Sequence, residues 1–433
     1  MITVNNRWLF LALLLLVGCA DNKNFTIEMM QAPGMYREGE FDPFIDSSRI
    51  DLDEDLRIFY ATHRAPASDS GEAPFYQHER GHVLRLGKAS ILLGNGNYTW
   101  EEARRISLLK NRPGRYPLQV DHVDEIGLLR ASYSDFDPLD VGDDSVWGDQ
   151  AFADDVNAQL ANAQVKDIYI YVHGYKVRFD NPILVSTELW HFLGYEGVMI
   201  AYSWPSTPSV FAYAKDLETT EYTSRYFRWL LQFLAEHTEA ERIHIIGYSA
   251  GTRVVLSALH QMALRNYDDS DEVLEARYRI GEVLIIGSDY DRDVFVADVE
   301  ERLLDIPQRL TVYLSETDKS LNMSRFFLAR RRLGEIKPEE GLTGEDLRAL
   351  RDNQVIDVIN VSEAEAAASG KGHNYFRESP WVSSDVLTTI RYQLSPAERG
   401  LVRDPGSPVW RFPPDYLDRL HKALQPYWQS YSH

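Results

Sequence analysis

Residues 241–259, ERIHIIGYSAGTRVVLSAL, place one serine between two glycines, directly after an apolar run and directly before a helical one. The run IHIIGY (243–248) is short, rich in β-branched residues and free of charge, as in a strand buried on both faces. The residues after it put four apolar side chains on one face of a predicted helix: Val254, Val255, Ala258 and Leu259. The Gly-x-Ser-x-Gly sequence of residues 247–251 therefore lies on a predicted strand-to-helix turn.

Ser249, at the centre of this turn, is a candidate nucleophile. A turn of this kind holds its serine in a strained backbone conformation, with the hydroxyl exposed above the edge of the sheet. The flanking glycines lack the Cβ atoms that would clash in so tight a corner. A serine nucleophile also needs a base, an acid that orients the base, and an oxyanion hole.

Predicted strands and helices alternate along the chain from residue 166 onward. The strands cover residues 166–175, 197–206, 242–248, 282–291 and 309–318, and helices are predicted over 180–194 and 217–236. This alternation predicts an α/β fold with a mostly parallel, doubly wound sheet and helices on both faces. Before it, two strands are expected at 56–66 and 82–94, then a helix over 149–163 that ends a long acidic segment.

The predicted strand 166–175 ends in His173, Gly174 and Tyr175, which are candidates for an oxyanion loop. A His-Gly pair here is typical of the loop that lends a backbone N–H to an oxyanion, because glycine lets the main chain approach the substrate. The N–H groups of Tyr175 and Ala250 would be the two donors. His173 is a rival base, although in this position it is better interpreted as a support for the loop.

Two strand ends supply candidate acids, and a later loop supplies a base. Asp318 follows the last predicted strand and is the preferred acid; Asp289 is the alternative, since the chain order Ser, Asp, His fits both. His373 lies after both acids, in the glycine-flanked loop SGKGHNYFRESP (369–380), ahead of a helical segment. We therefore predict a Ser249–His373–Asp318 triad.

The N-terminus, MITVNNRWLFLALLLLVGCADNK, is typical of a secretory signal. Its apolar stretch, residues 8–17, is too short for a comfortable membrane span and ends at Cys19, the only cysteine in the chain. Small residues before such a cysteine resemble the lipobox of bacterial lipoproteins, which implies cleavage before Cys19 and attachment of acyl chains, palmitate among them. The alternative is an uncleaved signal anchor with an incidental cysteine. Ala20 after the cysteine favours the outer membrane.

Composition excludes several classes of function. With 66 acidic and 45 basic residues the formal net charge is −21, which argues against a nucleic-acid partner. A single cysteine allows neither an intramolecular disulfide nor a cysteine-based metal cluster. Four histidines that precede the serine strand also lack metal-ligand spacing: His63, His78, His82 and His122. We expect no metal and no cofactor.

Seven motifs together resemble the bacterial alpha/beta hydrolase family of unknown function: FYATHR (59–64), VHGY (172–175), AYSWPS (201–206), GYSAG (247–251), GSDYDRDVF (287–295), YLSETDKSL (313–321) and GHNYF (372–376). The resemblance covers roughly residues 55–393. It implies the α/β-hydrolase fold and maps the triad to Ser249, Asp318 and His373. The chain departs from the family pattern at Lys176, where asparagine is more usual. Because the family's own substrate is unsettled, the resemblance implies none for this chain.

The expected organisation is a signal peptide over 1–18, an acylated Cys19 with a flexible tether over 19–54, a hydrolase domain over 55–398 and a C-terminal extension over 399–433. Residues 319–347 are an insertion that is either an amphipathic helix with solvated arginines, including Arg332, or a cap over the site.

The expected function is that of a membrane-anchored serine hydrolase acting on carboxylic esters. Lipid esters and thioesters are further candidate substrates, because the same triad mechanism cleaves them. The alternative is a non-catalytic envelope lipoprotein that uses the fold as a binding or scaffolding module. Esterase, lipase and peptidase activities all stay open.

Overall fold

The computed structural model describes residues 25–39, 41–44, 56–67, 74–94, 96–109, 112–134, 146–316, 318, 332–334, 355–367 and 372–429. The predicted signal peptide, Cys19 and all of the predicted insertion except residues 332–334 lie outside these ranges. None of the helices within them is long and apolar enough to cross a membrane.

In the described part of the chain, eleven strands form one sheet in the order β1-β4-β3-β2-β6-β5-β7-β8-β9-β10-β11. Their bounds are β1 Thr26–Glu28, β2 Arg57–Pro66, β3 Tyr76–Leu93, β4 Pro117–Leu128, β5 Asp167–Val172, β6 Val198–Ser203, β7 Arg242–Tyr248, β8 Ile280–Ile286, β9 Arg309–Leu314, β10 Ile356–Asn360 and β11 Val409–Arg411. From β2 to β11 all neighbours pair in parallel, whereas β3, β4 and β1 continue the sheet antiparallel. The predicted mostly parallel sheet is confirmed.

Ten α-helices connect or cover these strands within the described ranges: α1 Trp100–Ser107, α2 Asp149–Asn162, α3 Asp180–Phe192, α4 Tyr213–His237, α5 Gly251–Arg265, α6 Asp271–Tyr278, α7 Arg292–Glu300, α8 Tyr375–Glu378, α9 Pro380–Tyr392 and α10 Tyr416–Gln429. The helices pack against the sheet through two separate apolar cores. Side chains of α3, α9 and α10 belong to one core, and those of α2, α4 and α5 to the other. Helices therefore pack on both faces of the sheet, as predicted.

Strand β5 shows how the sequence builds both cores at once. Ile168 and Ile170 point into the core shared with α4 and α5, while Tyr169 and Tyr171 point into the core shared with α3 and α9. Every residue of β5 is buried. A strand with helices on both faces needs a continuous apolar run rather than an alternating one, which is the pattern that predicted it.

Strand β4 occupies a segment for which the sequence predicted only acidic character. Its sequence, PLQVDHVDEIGL, is half polar, and most of its side chains are partly or fully exposed because the strand lies toward the antiparallel end of the sheet. Three other strands were also not predicted, β1, β10 and β11, each of five residues or fewer. Pairing with a neighbour, rather than their own apolar pattern, makes them strands.

The expectation of a flexible tether through residue 54 is wrong for residues 25–39 and 41–44. Strand β1 pairs with β4, and Met35, Tyr36 and Phe41 are buried in the core beside α9 and α10. Phe41 stacks on Trp428 at 4.3 Å between ring centroids. The segment was misjudged because its apolar residues are spaced by prolines and glycines and follow neither a helical nor a strand period. The stretch is part of the folded domain.

We predict that Tyr36→Ala lowers the free energy of unfolding by about 3–5 kcal/mol, because a fully buried aromatic ring and its hydrogen bond to the carbonyl of Phe192 are lost. Urea unfolding followed by tryptophan fluorescence measures this change. Gln31→Ala, at an exposed position in the same segment, is the matched control and should stay within about 0.5 kcal/mol of wild type. Equal effects of the two substitutions would show that the segment does not pack.

Candidate active site

Ser249 stands at the sharp turn between β7 and α5 with a backbone φ of +52°, a left-handed conformation that is costly for a residue with a Cβ atom. The turn is fixed to the neighbouring strand, because the N–H of Ser249 donates to the carbonyl of Ile286 on β8 at 2.9 Å. A Cβ atom on Gly251 would lie 2.5 Å or less from the carbonyl oxygens of Val172 and His173. Glycine at 251 is therefore required for α5 to begin this close to the end of β5.

The structure brings Ser249, His373 and Asp318 into one hydrogen-bonded chain. Ser249 Oγ lies 2.9 Å from His373 Nε2, and His373 Nδ1 lies 2.5 Å from Asp318 Oδ2. The Asp318 carboxylate is fully buried, while 13% of the His373 side chain is exposed. The buried carboxylate holds the imidazole with Nδ1–H toward the acid, which leaves Nε2 free to accept the serine proton.

His373 is held in place by the end of β8 and by the helix that follows it. Gly287 has a φ of +56°, and a Cβ atom there would lie 3.1 Å from His373 Cε1, so the ring packs directly on the glycine backbone. The Tyr248 ring lies 5.1 Å from the imidazole on another side. Two residues after His373, Tyr375 donates its hydroxyl to the carbonyl of Tyr313 at 3.0 Å, which fixes the loop to β9.

The alternative acid, Asp289, does not contact His373. Its carboxylate accepts a hydrogen bond from Tyr213 at 2.6 Å and forms ion pairs with Arg253 and Arg332, each at 3.4 Å. It therefore belongs to a separate buried cluster one helical turn beyond the nucleophile. Of the two candidate acids, only Asp318 has the geometry of a partner for the imidazole.

The rival base, His173, does not face Ser249. Its Nδ1 lies 2.6 Å from the carbonyl of Gly174 and its Nε2 3.1 Å from the carbonyl of Trp204, and its ring stacks on the Trp204 indole. Burial, with Arg64 nearby, holds the pKa of His173 well below its usual range. The neutral, enclosed ring supports the loop that leads to Tyr175.

The oxyanion loop lies directly against the nucleophile. A Cβ atom on Gly174 would stand 3.0 Å from Ser249 Cβ and 3.4 Å from Ser249 Oγ, so glycine allows the close approach that was predicted for it. Among the hydrogen bonds of the described residues, none uses the N–H of Tyr175 or of Ala250 as donor. Both amides, one on each side of the serine, are available to an incoming anion.

Arg64, which is not among the predicted site residues, lies behind the oxyanion loop. This fully buried guanidinium donates to the carbonyl of Val177 at 2.9 Å, to Ser203 Oγ at 3.1 Å and to the carbonyl of Ser206 at 3.2 Å. Arg64 is the last residue of the FYATHR motif and places a charge within the buried part of strand β2. It ties the loop after β5 to the loop after β6.

Asp216 on α4 completes this support from the opposite side and was also not selected from the sequence. Its two carboxylate oxygens accept from the N–H of Thr207 at 3.1 Å, and the N–H of Lys176 donates to the same carboxylate. Burial raises the pKa of Asp216 to about 6. Lys176 itself has a φ of +63°, so the residue next to Tyr175 is held in a strained conformation.

In the described ranges, no group of three or more histidine, cysteine, aspartate or glutamate side chains is placed to hold a metal ion. The candidate site consists of the Ser249 hydroxyl, the His373 imidazole, the Asp318 carboxylate and two backbone amides.

We predict that Gly287→Ala slows the reaction of Ser249 with a fluorophosphonate at least about tenfold, because the new methyl group displaces the His373 ring. Gly406→Ala is the matched control: Gly406 also has a positive φ, +84°, but nothing lies within 4 Å of a Cβ atom there. Both variants should lose about 1–2 kcal/mol of stability to backbone strain. Equal labelling rates in the two variants would show that the contact with His373 is unimportant.

Comparison with known families agrees with this geometry. The model of one family, described as alpha/beta hydrolase of unknown function (DUF900), matches residues 149–391, which is more than half of the chain. No curated protein and no solved structure matched the chain. The matched range includes β5 to β10 with Ser249, Asp318 and His373. The chain belongs to this family of alpha/beta hydrolases, as its motifs had predicted.

Proposed function

We propose that the protein is a serine hydrolase that cleaves carboxylic esters through an acyl-enzyme. The observation that carries the proposal is the hydrogen-bonded chain from Ser249 Oγ through the His373 imidazole to the Asp318 carboxylate, at 2.9 and 2.5 Å. Each member comes from a different segment that follows a strand of the parallel sheet, at the edge where open α/β sheets bind their ligands.

The reaction follows from the positions of these groups. His373 Nε2 takes the proton of Ser249 as Oγ attacks the ester carbonyl, and Asp318 stabilises the imidazolium that forms. The N–H groups of Ala250 and Tyr175 donate to the carbonyl oxygen as it becomes negatively charged. His373 then protonates the departing alkoxide, and the same steps with water in place of serine release the acid and restore the enzyme.

The non-catalytic alternative is less well supported by the same observations. A binding or scaffolding module would have no use for a serine at a φ of +52° or for a buried carboxylate directed at an imidazole. Strained conformations of this kind persist where they serve a mechanism. The proposal therefore takes the hydrolase interpretation.

The proposal includes the location of the enzyme. Cys19 would carry acyl chains after removal of residues 1–18, and the mature protein would sit at the periplasmic face of the outer membrane. The support is the short apolar stretch, the lone cysteine after small residues and Ala20. Several acyl chains hold a protein on a bilayer far more firmly than one.

We predict that a fluorophosphonate probe labels the full chain and that Ser249→Ala and His373→Ala both abolish labelling, since one removes the nucleophile and the other its base. In-gel fluorescence of purified, folded protein measures the result. Ser257→Ala, on the same helix but away from the turn, should label like wild type. Labelling that survives Ser249→Ala would identify a different serine and reject the mechanism.

We predict that Asp318→Asn lowers kcat on a soluble ester by roughly 10³–10⁴-fold, because the amide no longer holds the productive imidazole tautomer. Asp289→Asn, which disturbs the arginine cluster instead, should lower kcat far less per folded molecule. Steady-state hydrolysis of p-nitrophenyl butyrate, normalised to folded protein, compares the two. The reverse order would make Asp289 the acid.

A further inference from the structure

The N-terminal segment contacts residues that follow two loops of the candidate site. At its start, the ring of Phe25 lies 5.7 Å from the Arg178 guanidinium carbon. Arg178 is three residues beyond Tyr175, whose N–H is one of the two proposed oxyanion donors. The first described residue of the chain is therefore a neighbour of the oxyanion loop.

The same segment reaches the other side of the site three residues later. The carbonyl of Glu28 accepts a hydrogen bond from Arg377 at 3.1 Å, and Arg377 follows His373 by four residues. Arg377 is held in turn by two hydrogen bonds to the buried Glu188 carboxylate, at 2.8 and 3.0 Å, and Glu188 also accepts from the N–H of Met30. Residues 25–30 thus connect the oxyanion loop with the histidine loop.

The proposed lipid anchor lies close to this segment in the sequence. Cys19 precedes Phe25 by six residues. Six residues span at most about 20 Å even when fully extended. Acyl chains on Cys19 would therefore keep Phe25 within that distance of the bilayer surface, and the contact between Phe25 and Arg178 keeps the oxyanion loop on the side of the domain next to the anchor.

An exposed aromatic side chain lies near the oxyanion loop. Phe211, in the loop between β6 and α4, is 96% exposed, the largest exposure among the large apolar side chains of the described residues. Two residues further on, the Tyr213 ring packs against the Tyr175 ring at 5.3 Å. Phenylalanine on such a loop can enter the region between headgroups and acyl chains, where an apolar side chain loses its contact with water.

From these placements we propose that the mouth of the active site faces the membrane and that the substrate is a carboxylic ester of a lipid held in that membrane. The inference rests on the proposed hydrolase and on acylation of Cys19. The short tether holds the mouth toward the bilayer, and Phe211 contacts its surface. A lipid ester then reaches Ser249 from the membrane side.

The test uses the full acylated chain, reconstituted into vesicles of phosphatidylethanolamine and phosphatidylglycerol that contain a fluorogenic diacyl phospholipid ester. Hydrolysis of that lipid is compared with hydrolysis of p-nitrophenyl butyrate in solution by the same vesicles. The first variant carries thirty Gly/Ser residues inserted after Lys23, which adds a flexible span of about 30 Å while the acyl anchor is kept. We expect the lipid-ester rate to fall about tenfold and the soluble-ester rate to change less than twofold.

The second variant is Phe211→Ser, with Tyr267→Ser as its matched control. Tyr267 is also exposed, at 59%, but it follows the far end of α5, about 20 Å along the helix from the turn at Ser249. We expect Phe211→Ser to lower the lipid-ester rate several-fold and Tyr267→Ser to leave it unchanged. Neither substitution should alter the soluble-ester rate.

The outcomes separate this inference from the proposed function. If wild type cleaves the soluble ester through Ser249 but the insertion and Phe211→Ser leave the lipid-ester rate unchanged, the orientation toward the membrane is wrong. A wild type that cleaves only the soluble ester, or that carries no acyl group on Cys19 by mass spectrometry, also overturns the inference and leaves the hydrolase in place. Absence of Ser249-dependent cleavage of either ester rejects the hydrolase itself.

Discussion

The close approach of helix α5 to the end of strand β5 is the constraint on which the site depends. With no side chain at Gly251, the helix begins against the carbonyl oxygens of Val172 and His173, and that contact places the oxyanion loop beside Ser249. The positive φ of Ser249 follows from the same corner, since the chain must reverse between a buried strand and a helix packed over it. The absence of a side chain at residue 251 thus brings the candidate nucleophile and the candidate oxyanion donors together.

Around this corner, buried charges connect loops that are far apart in the sequence. Arg64 and Asp216 hold the loops after β5 and β6, and the Glu188–Arg377 pair joins α3 to the histidine loop and to the N-terminal segment. Breaking a buried pair of this kind is strongly destabilising, because the remaining charge is left without a partner. The arrangement gives a rigid frame to a site whose reactive groups all lie on loops, which fits the requirement that catalytic groups be positioned before the substrate arrives.

Much of this could be predicted from the sequence, and the successes and failures have physical causes. Strands buried on both faces, such as β5 and β7, must be continuous apolar runs, and glycines on both sides of a serine are typical of a strand-to-helix turn. The sequence therefore predicts both the fold and the position of Ser249 on such a turn. Strand β4 and the packing of residues 25–39 and 41–44 could not be predicted, because their positions depend on partners that are distant in the chain. The choice between Asp318 and Asp289 also depends on the positions of their side chains, since both residues follow strands of the same sheet. Arg64 belongs to the FYATHR motif, but the motif does not indicate that its guanidinium supports the oxyanion loop, because the loops it joins follow other strands.

The contacts between the two ends of the described chain bear on when this protein can finish folding. Phe41 stacks on Trp428, the N–H of Met35 donates to Ser384, and His421 Nε2 lies 2.9 Å from the carbonyl of Met35. Residues 35–36 and 41 therefore complete their core only with helices α9 and α10, which are made more than 300 residues later. During synthesis, and during any export in the N- to C-terminal direction, the segment that holds Met35 and Phe41 cannot complete its packing. Its apolar side chains lack their native partners until helix α10 has been made. Because these contacts are so far apart in sequence, the final closure of this domain can occur only after helix α10 has been made.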